Sequence, residues 1–219
     1  MMQDTTETIA RRVAASLLEI GAIRLCPSEP FTWSSGWKSP IYCDNRLALS
    51  YPSVRSYIKN ALAERIRAEF PSVEAIVGVA TAGIPQGALV ADILELPFLY
   101  VRSKPKEHGM GNMIEGKVES GQKVVVIEDL ISTGGSSLKV VDALREAGAE
   151  VLGMAAIFTY GFAEAERNFD DKQVPLLTLS NYAQLLTEAT AQHIISESDK
   201  ASLDAWRESP DTWGGMPSK

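Results

Sequence analysis

Hydrophobic positions along the chain change period repeatedly, and each change predicts an element. Ile9, Val13, Leu17 and Leu18 fall on one helical stripe, predicting a helix over 5–20 with Thr5 or Thr6 as its cap and Gly21 as its stop. Short strands follow at 22–25 and 31–33 around the turn 27–30, then a Gly- and Pro-rich turn over 35–40 and a strand at 41–43. Taken alone, this stretch is a β-ribbon with two exposed tryptophans, Trp33 and Trp37. Val54, Tyr57, Ile58, Leu62 and Ile66 predict an amphipathic helix over 52–70, ended by Pro71.

From there apolar runs alternate with helical periods. A strand at 75–80 leads into a loop over 81–87 and a helix over 88–94. A strand at 97–101 leads into residues 103–112, which combine cations with glycines, lack any apolar period and read as a mobile loop. An antiparallel return is expected over 113–118. Val124 to Ile127 are four consecutive β-branched residues with no polar alternation, the pattern of a strand buried on both faces in a parallel sheet. Leu138, Val140, Val141, Leu144 and Ala147 then follow helical spacing. Strands at 148–158 and 174–179 and helices at 182–191 and 196–208, the last capped by Ser196 or Ser198, complete the reading, with a loose tail after Pro210. Strands alternating with helices, without an internal repeat, predict an α/β fold with a mostly parallel central sheet whose loops at the carboxyl edge form the site.

The chemistry concentrates between the strand at 124–127 and its helix. Glu128 and Asp129 come first, then Ser132, Thr133, Gly134, Gly135, Ser136 and Ser137. Glycines let backbone approach a ligand, hydroxyls donate to phosphate oxygens, and a helix amino terminus offers unpaired N–H groups. The acidic pair suits donors such as vicinal ribose hydroxyls, so the whole run describes a site for a ribose 5-phosphate. The bland alternative is an ordinary strand-to-helix turn with an N-cap serine and acids favouring the helix dipole. No G-x-x-x-x-G-K-[ST] and no G-x-G-x-x-G after a strand occurs, which removes most support for nucleoside triphosphate or dinucleotide binding.

Composition narrows the class further. At 219 residues and 45% hydrophobic content, the chain can bury one good-sized core in a single domain. A net charge of −7 argues against general nucleic-acid binding, which needs a basic face. No apolar run approaches a bilayer span, and the start of the chain lacks a basic segment followed by an apolar one, so a cytoplasmic protein is expected. Cys26 and Cys43 stand in no metal or redox spacing, and His108 and His193 are the only histidines. Neither G-x-S-x-G nor H-E-x-x-H is present, which leaves hydrolase chemistry little support.

The segment 124–137 resembles the phosphoribosyl pyrophosphate (PRPP) signature of type I phosphoribosyltransferases. The resemblance implies that Glu128 and Asp129 hold the ribose hydroxyls and that Ser132, Thr133, Gly134, Gly135 and Ser136 cradle the 5-phosphate, with Leu130 and Ile131 joining the two within the PRPP-binding segment. The run Phe31-Thr32 to Pro40, followed by Tyr42, resembles the amino-terminal hood of orotate phosphoribosyltransferases, which covers the pyrimidine. It implies orotate contacts from Tyr42, Cys43 and Ser132. The loop 102–112 resembles that family's catalytic loop, implying that Arg102, Lys106 and His108 reach the pyrophosphate in the partner's active site of a homodimer.

By the same resemblance the 81–87 loop binds pyrophosphate through backbone N–H groups. Ser34, Ala82 and Ser103 stand where some relatives carry lysine, and Tyr160 stands near an arginine that assists base recognition in some. The expected arrangement is a type I phosphoribosyltransferase-like domain over 1–219. It comprises an amino-terminal helix and hood over 1–50, a PRPP-binding core over 51–180, and carboxyl-terminal helices and tail over 181–219. Its expected reaction is phosphoribosyl transfer from PRPP to orotate. Lys106, His108 and Asp129 form the catalytic set, and Mg²⁺ is the cofactor, held mainly by substrate and without a dedicated protein metal site. A purine or other base phosphoribosyltransferase, a regulatory PRPP-fold protein that binds RNA, and a structural protein with an accidental phosphate turn stay open at this point.

Overall fold

A computed structural model of the chain describes residues 5–33, 36–102 and 113–213. Helix α1 (Thr6–Glu19) is capped by Thr5, whose hydroxyl oxygen accepts from the Thr8 N–H, and buries Ile9, Val13 and Leu17 as the spacing predicts. Strands β1 (Ile23–Leu25), β2 (Phe31–Thr32), β3 (Lys38–Ser39) and β4 (Ile41–Cys43) form two small antiparallel pairs, β1 with β4 and β2 with β3. A 3₁₀ helix (Asn45–Ser50) and α2 (Pro52–Glu69) lead to β5 (Ala75–Val79), α3 (Gly83–Leu94), β6 (Phe98–Val101) and β7 (Ile114–Glu115). Then come β8 (Lys123–Ile131), α4 (Gly135–Glu146), β9 (Glu150–Thr159), α5 (Ala163–Asp171), β10 (Leu176–Asn181), α6 (Tyr182–Ala191) and α7 (Glu197–Glu208).

The main sheet has six strands in the order β10-β9-β8-β5-β6-β7, all parallel except β7, which runs antiparallel to β6. Alternate residues of the central strand β8 face different layers. Val125 and Ile127 join the core under α1, α2, α3 and α6, while Val124 and Val126 join the core under α4 and α5. From β5 the chain steps to β6 on one side and later builds β8, β9 and β10 on the other. The strand order therefore reverses between β5 and β8, where the loops at the carboxyl edge part and leave a crevice.

Four differences from the sequence reading have physical causes. Strand β8 continues to Ile131, because pairing with β9 through Leu130↔Phe158 and Ile131↔Thr159 extends it past the acids. The expected loop over 81–87 is mostly the first turn of α3, in which Pro85 is tolerated because its missing N–H would have no helical partner there. Helix α5 is short and mostly polar, with only Ala165 and Phe169 buried one turn apart, so too few apolar positions announced it. The tryptophans of the hood are not exposed. Trp33 packs at 5.5 Å from Tyr160 and edge-on at 5.6 Å to Trp206 of α7, and Trp37 is half-buried.

Trp206 itself is fully buried, with its indole N–H donating to the Lys38 carbonyl oxygen at 3.2 Å. The last helix thereby pins the hood to the sheet. No helix among the described residues is long and apolar enough to cross a membrane.

Candidate active site

The crevice is built by the ends of β5, β8 and β9 below and the hood above. At the end of β8, Glu128 is 6% exposed. Its Oε1 accepts the Asp129 N–H at 3.0 Å and its Oε2 accepts the Ser137 hydroxyl at 2.9 Å, tying the strand to the first turn of α4. Burial first, and the adjacent Asp129 charge second, push the Glu128 carboxyl up to about 8. Asp129 is half-buried and its pKa is also raised, chiefly by burial, against the opposing pull of Arg46.

The turn after β8 carries Ser132 and Thr133, both half-buried, and the buried Gly134. Gly134 is the N-cap residue of α4, with φ of +79° and no side-chain cap. A Cβ there would come within 2.5 Å of the Phe169 ring, so both its backbone angle and its neighbour require glycine. The N-cap serine of the bland alternative is therefore absent, and no capping side chain takes up the first N–H groups of α4. The Asn168 side-chain amide donates to the Thr133 carbonyl oxygen at 2.9 Å and braces the turn from α5. Gly83, at the start of α3, packs so closely on β8 that a Cβ would collide with the Ile127 carbonyl oxygen; this brings the 80–82 turn beside the acids.

Between hood and sheet lies a cavity of about 420 Å³ lined by Thr32, Trp33, Tyr42, Cys43, Leu130, Ser132 and Tyr160. Its walls are largely aromatic, and Leu130 and Ser132 belong to the same run as Asp129. The Cys43 thiol donates to Asn45 Oδ1 at 3.4 Å, and burial keeps its pKa well above the usual thiol value. Tyr160 sits inside an aromatic cluster with Phe158, Phe162 and Trp206. A larger cleft of about 630 Å³ borders Glu166, Asp170 and Gln173. No cation lines it and it lies at the start of β10, away from the carboxyl edge, so it does not suit an anionic sugar phosphate.

Of the residues singled out in the sequence, the structure brings together Tyr42, Cys43, Glu128, Asp129, Leu130, Ser132, Thr133, Gly134, Gly135 and Ser136 around one crevice, with Ile131 buried beneath it. Arg102 stands at the end of β6, its N–H bonded to the Met113 carbonyl oxygen at 2.9 Å and its guanidinium 3.7 Å from Glu115. Lys106 and His108 lie outside the described residues. Asn45 and Asn168 were not singled out, and Ser137 was named within the polar turn without a role of its own. Each is an ordinary polar residue in sequence and acquires its role only through a partner more than eight residues away.

The family described as "Phosphoribosyl transferase domain" matches residues 51–189. An orotate phosphoribosyltransferase of Cytophaga hutchinsonii is 58% identical over 203 residues, 93% of this chain and 97% of that protein. The chain belongs to the orotate phosphoribosyltransferase family. The orotate phosphoribosyltransferase of Listeria innocua is 56% identical over 94% of this chain and 99% of its own length.

Among solved structures, the orotate phosphoribosyltransferase of Aeropyrum pernix superposes with a TM-score of 0.71 at 30% identity, covering 84% of this chain and 99% of that one. The UMP synthase of Leishmania donovani shares the fold, with a TM-score of 0.77 at 24% identity over 92% of this chain and 42% of that one.

Proposed function

We propose that the protein transfers the 5-phosphoribosyl group of PRPP to orotate, giving orotidine 5-monophosphate and pyrophosphate in pyrimidine nucleotide biosynthesis. One observation carries the reading: a single run of residues, 129–136, borders an aromatic-walled cavity at Leu130 and Ser132 and supplies a carboxylate and a glycine-containing helix start on either side of them. A planar base in the cavity is then next to a sugar at Asp129, with the sugar's phosphate on the uncapped turn at Ser132 to Ser136.

Positive charge develops at the anomeric carbon as pyrophosphate leaves. Asp129 holds the ribose hydroxyls and places its negative charge near that carbon. Glu128 orients both the Asp129 backbone and Ser137 and stands with Asp129 as the acidic pair that holds the ribose hydroxyls. Tyr42, Cys43 and Ser132 border the base. Backbone N–H groups of the 80–82 turn and the start of α3 receive pyrophosphate, together with Arg102, Lys106 and His108 from the loop of a partner subunit. Closure of that loop would exclude the water that otherwise hydrolyses PRPP.

Among the described residues no cluster of three or more His, Cys, Asp or Glu could enclose a metal ion. A hard cation held mainly by substrate oxygens and water would need no such cluster, and Asp129 would be the residue that helps to hold it. Bound Mg²⁺ would neutralise pyrophosphate charge. The expected setting is a cytoplasmic homodimer, in keeping with two free cysteines and no spanning helix among the described residues.

Pyrophosphate release measured with PRPP, Mg²⁺ and each of orotate, uracil, adenine and hypoxanthine tests the reading. Turnover with orotate alone is expected. Preference for a purine would replace it with the sister activity, and no turnover with any base would end it.

A further inference from the structure

Gly134 and Gly135 give the turn at the start of α4 two residues with no Cβ to restrict their backbone. The peptide between Thr133 and Gly134 could therefore turn over at little cost unless something outside the turn held it. Asn168 holds it: its side-chain amide donates to the Thr133 carbonyl oxygen at 2.9 Å, from 35 residues further along the chain. The neighbouring Phe169, 3% exposed, lies so close to Gly134 that a Cβ there would come within 2.5 Å of its ring. One side chain of α5 fixes the carbonyl, and the next fills the space beside the glycine.

The helix that carries them has an anchor of its own. Lys172 bonds both carboxylate oxygens of Asp142 on α4, at 2.7 and 2.8 Å, and the Arg145 guanidinium of α4 donates to the Lys172 carbonyl oxygen at 2.9 Å. Asn168 thus reaches the turn from a fixed base. In a planar trans peptide the C=O and the following N–H point in opposite directions. With the Thr133 oxygen drawn toward α5, the Gly134 N–H points away from it, and neither this N–H nor those of Gly135 and Ser136 has an acceptor among the described residues.

We infer that Asn168 is a positioning residue for the substrate's 5-phosphate: by holding the Thr133 carbonyl oxygen it keeps the Gly134 N–H aimed at the anion. The inference rests on the sugar-phosphate assignment proposed above and adds to it a residue that touches no substrate atom. Without the Asn168 amide the 133–134 peptide is free to turn over, and a carbonyl oxygen then faces the phosphate where an N–H stood. A donor is lost and a repelling dipole takes its place. Pyrophosphate and base, bound along other parts of the crevice, do not feel the change.

The test is Asn168→Leu, which keeps much of the side-chain volume without a donor, beside Asn168→Ala. The expected result is a rise of about tenfold in KM for PRPP and in the dissociation constant of ribose 5-phosphate measured by calorimetry, the equivalent of one hydrogen bond to a charged group. The inhibition constant of pyrophosphate and KM for orotate at saturating PRPP should stay unchanged. Unchanged ribose 5-phosphate binding in either folded variant overturns the inference. So does an equal loss for ribose 5-phosphate, pyrophosphate and orotate with a lowered melting temperature, which would mark Asn168 as a prop of the whole crevice. Wild-type protein that binds ribose 5-phosphate without consuming orotate overturns the orotate reading alone, since the variants are compared by binding; wild-type protein that does not bind ribose 5-phosphate overturns both.

Discussion

The side-chain amide of Asn45 donates to the carbonyl oxygen of Asp129 at 2.7 Å, joining the base of the hood to strand β8. Asn45 is 1% exposed, and its Oδ1 accepts from the Cys43 thiol, so one side chain sets the spacing between the two walls of the crevice. Asn45→Ala leaves the Asp129 carbonyl unpaired in the interior. It should lower unfolding free energy by about 1–3 kcal/mol and reduce kcat/KM for both substrates. Urea denaturation and steady-state kinetics check this, and a variant as stable as wild type would show that the bond carries no weight.

Asp129→Asn should cost more than about tenfold in turnover, the loss of a hydrogen bond to a charged group. Stability should move the other way. Burial already raises the Asp129 pKa, so the ionised carboxylate is disfavoured in the unliganded protein and a neutral amide relieves that cost. Circular dichroism melts and pyrophosphate release on the same preparation separate the two effects. Near-normal turnover would remove Asp129 from the sugar site.

The pH dependence of stability should carry the mark of Glu128. Its carboxyl is raised from 4.5 to about 8, so the folded state binds the proton more tightly than the unfolded chain does. Ionisation then costs stability. The native state should weaken as pH climbs from about 4.5 to about 8, with a slope of up to ~1.4 kcal/mol per pH unit from this one group, and the loss should be complete above that window. Glu128→Gln retains an acceptor for the Asp129 N–H and should flatten the upper part of that slope. Chemical denaturation of metal-free protein at a series of pH values provides the comparison; equal slopes in both proteins would refute the assignment.

Mixed dimers address the loop. Chains carrying Lys106→Ala and chains carrying Asp129→Asn should each be nearly inactive alone. Mixed and allowed to exchange subunits, they should recover up to about a quarter of wild-type activity per active site, because one site in a hybrid then has both an intact loop from its partner and an intact carboxylate. No recovery in verified hybrids would place the loop in its own subunit's site.

Much of the fold was legible because hydrophobic period reports directly on layer and burial. Val124 to Ile127 announced a strand covered on both faces, and the stripe of Ile9, Val13 and Leu17 announced α1 and its buried side. Where local pattern and tertiary pairing compete, the pattern stopped short. β8 runs on to Ile131 only because β9 pairs with it there, and α3 begins at Gly83, where contact with the Ile127 carbonyl oxygen leaves no room for a Cβ. α5 is held by Phe169 and by the Asn168 bond to Thr133, which no run of eight or nine residues could disclose.

By itself the sequence determined which residues carry charge, hydroxyls and glycines next to one another at the end of a strand, since those properties travel with the local chain: Glu128, Asp129, and the turn from Ser132 to Ser136. Only the tertiary structure decided that the two acids differ, Glu128 being enclosed by Ser137 and the Asp129 N–H. It likewise decided that Trp206 of α7 clamps the hood at Lys38, and that Tyr160 lines the cavity beneath the hood. Burial and hydrogen-bond partnership are set by residues far apart in the chain, so they exist only once the sheet, the hood and the last helix have closed on one another.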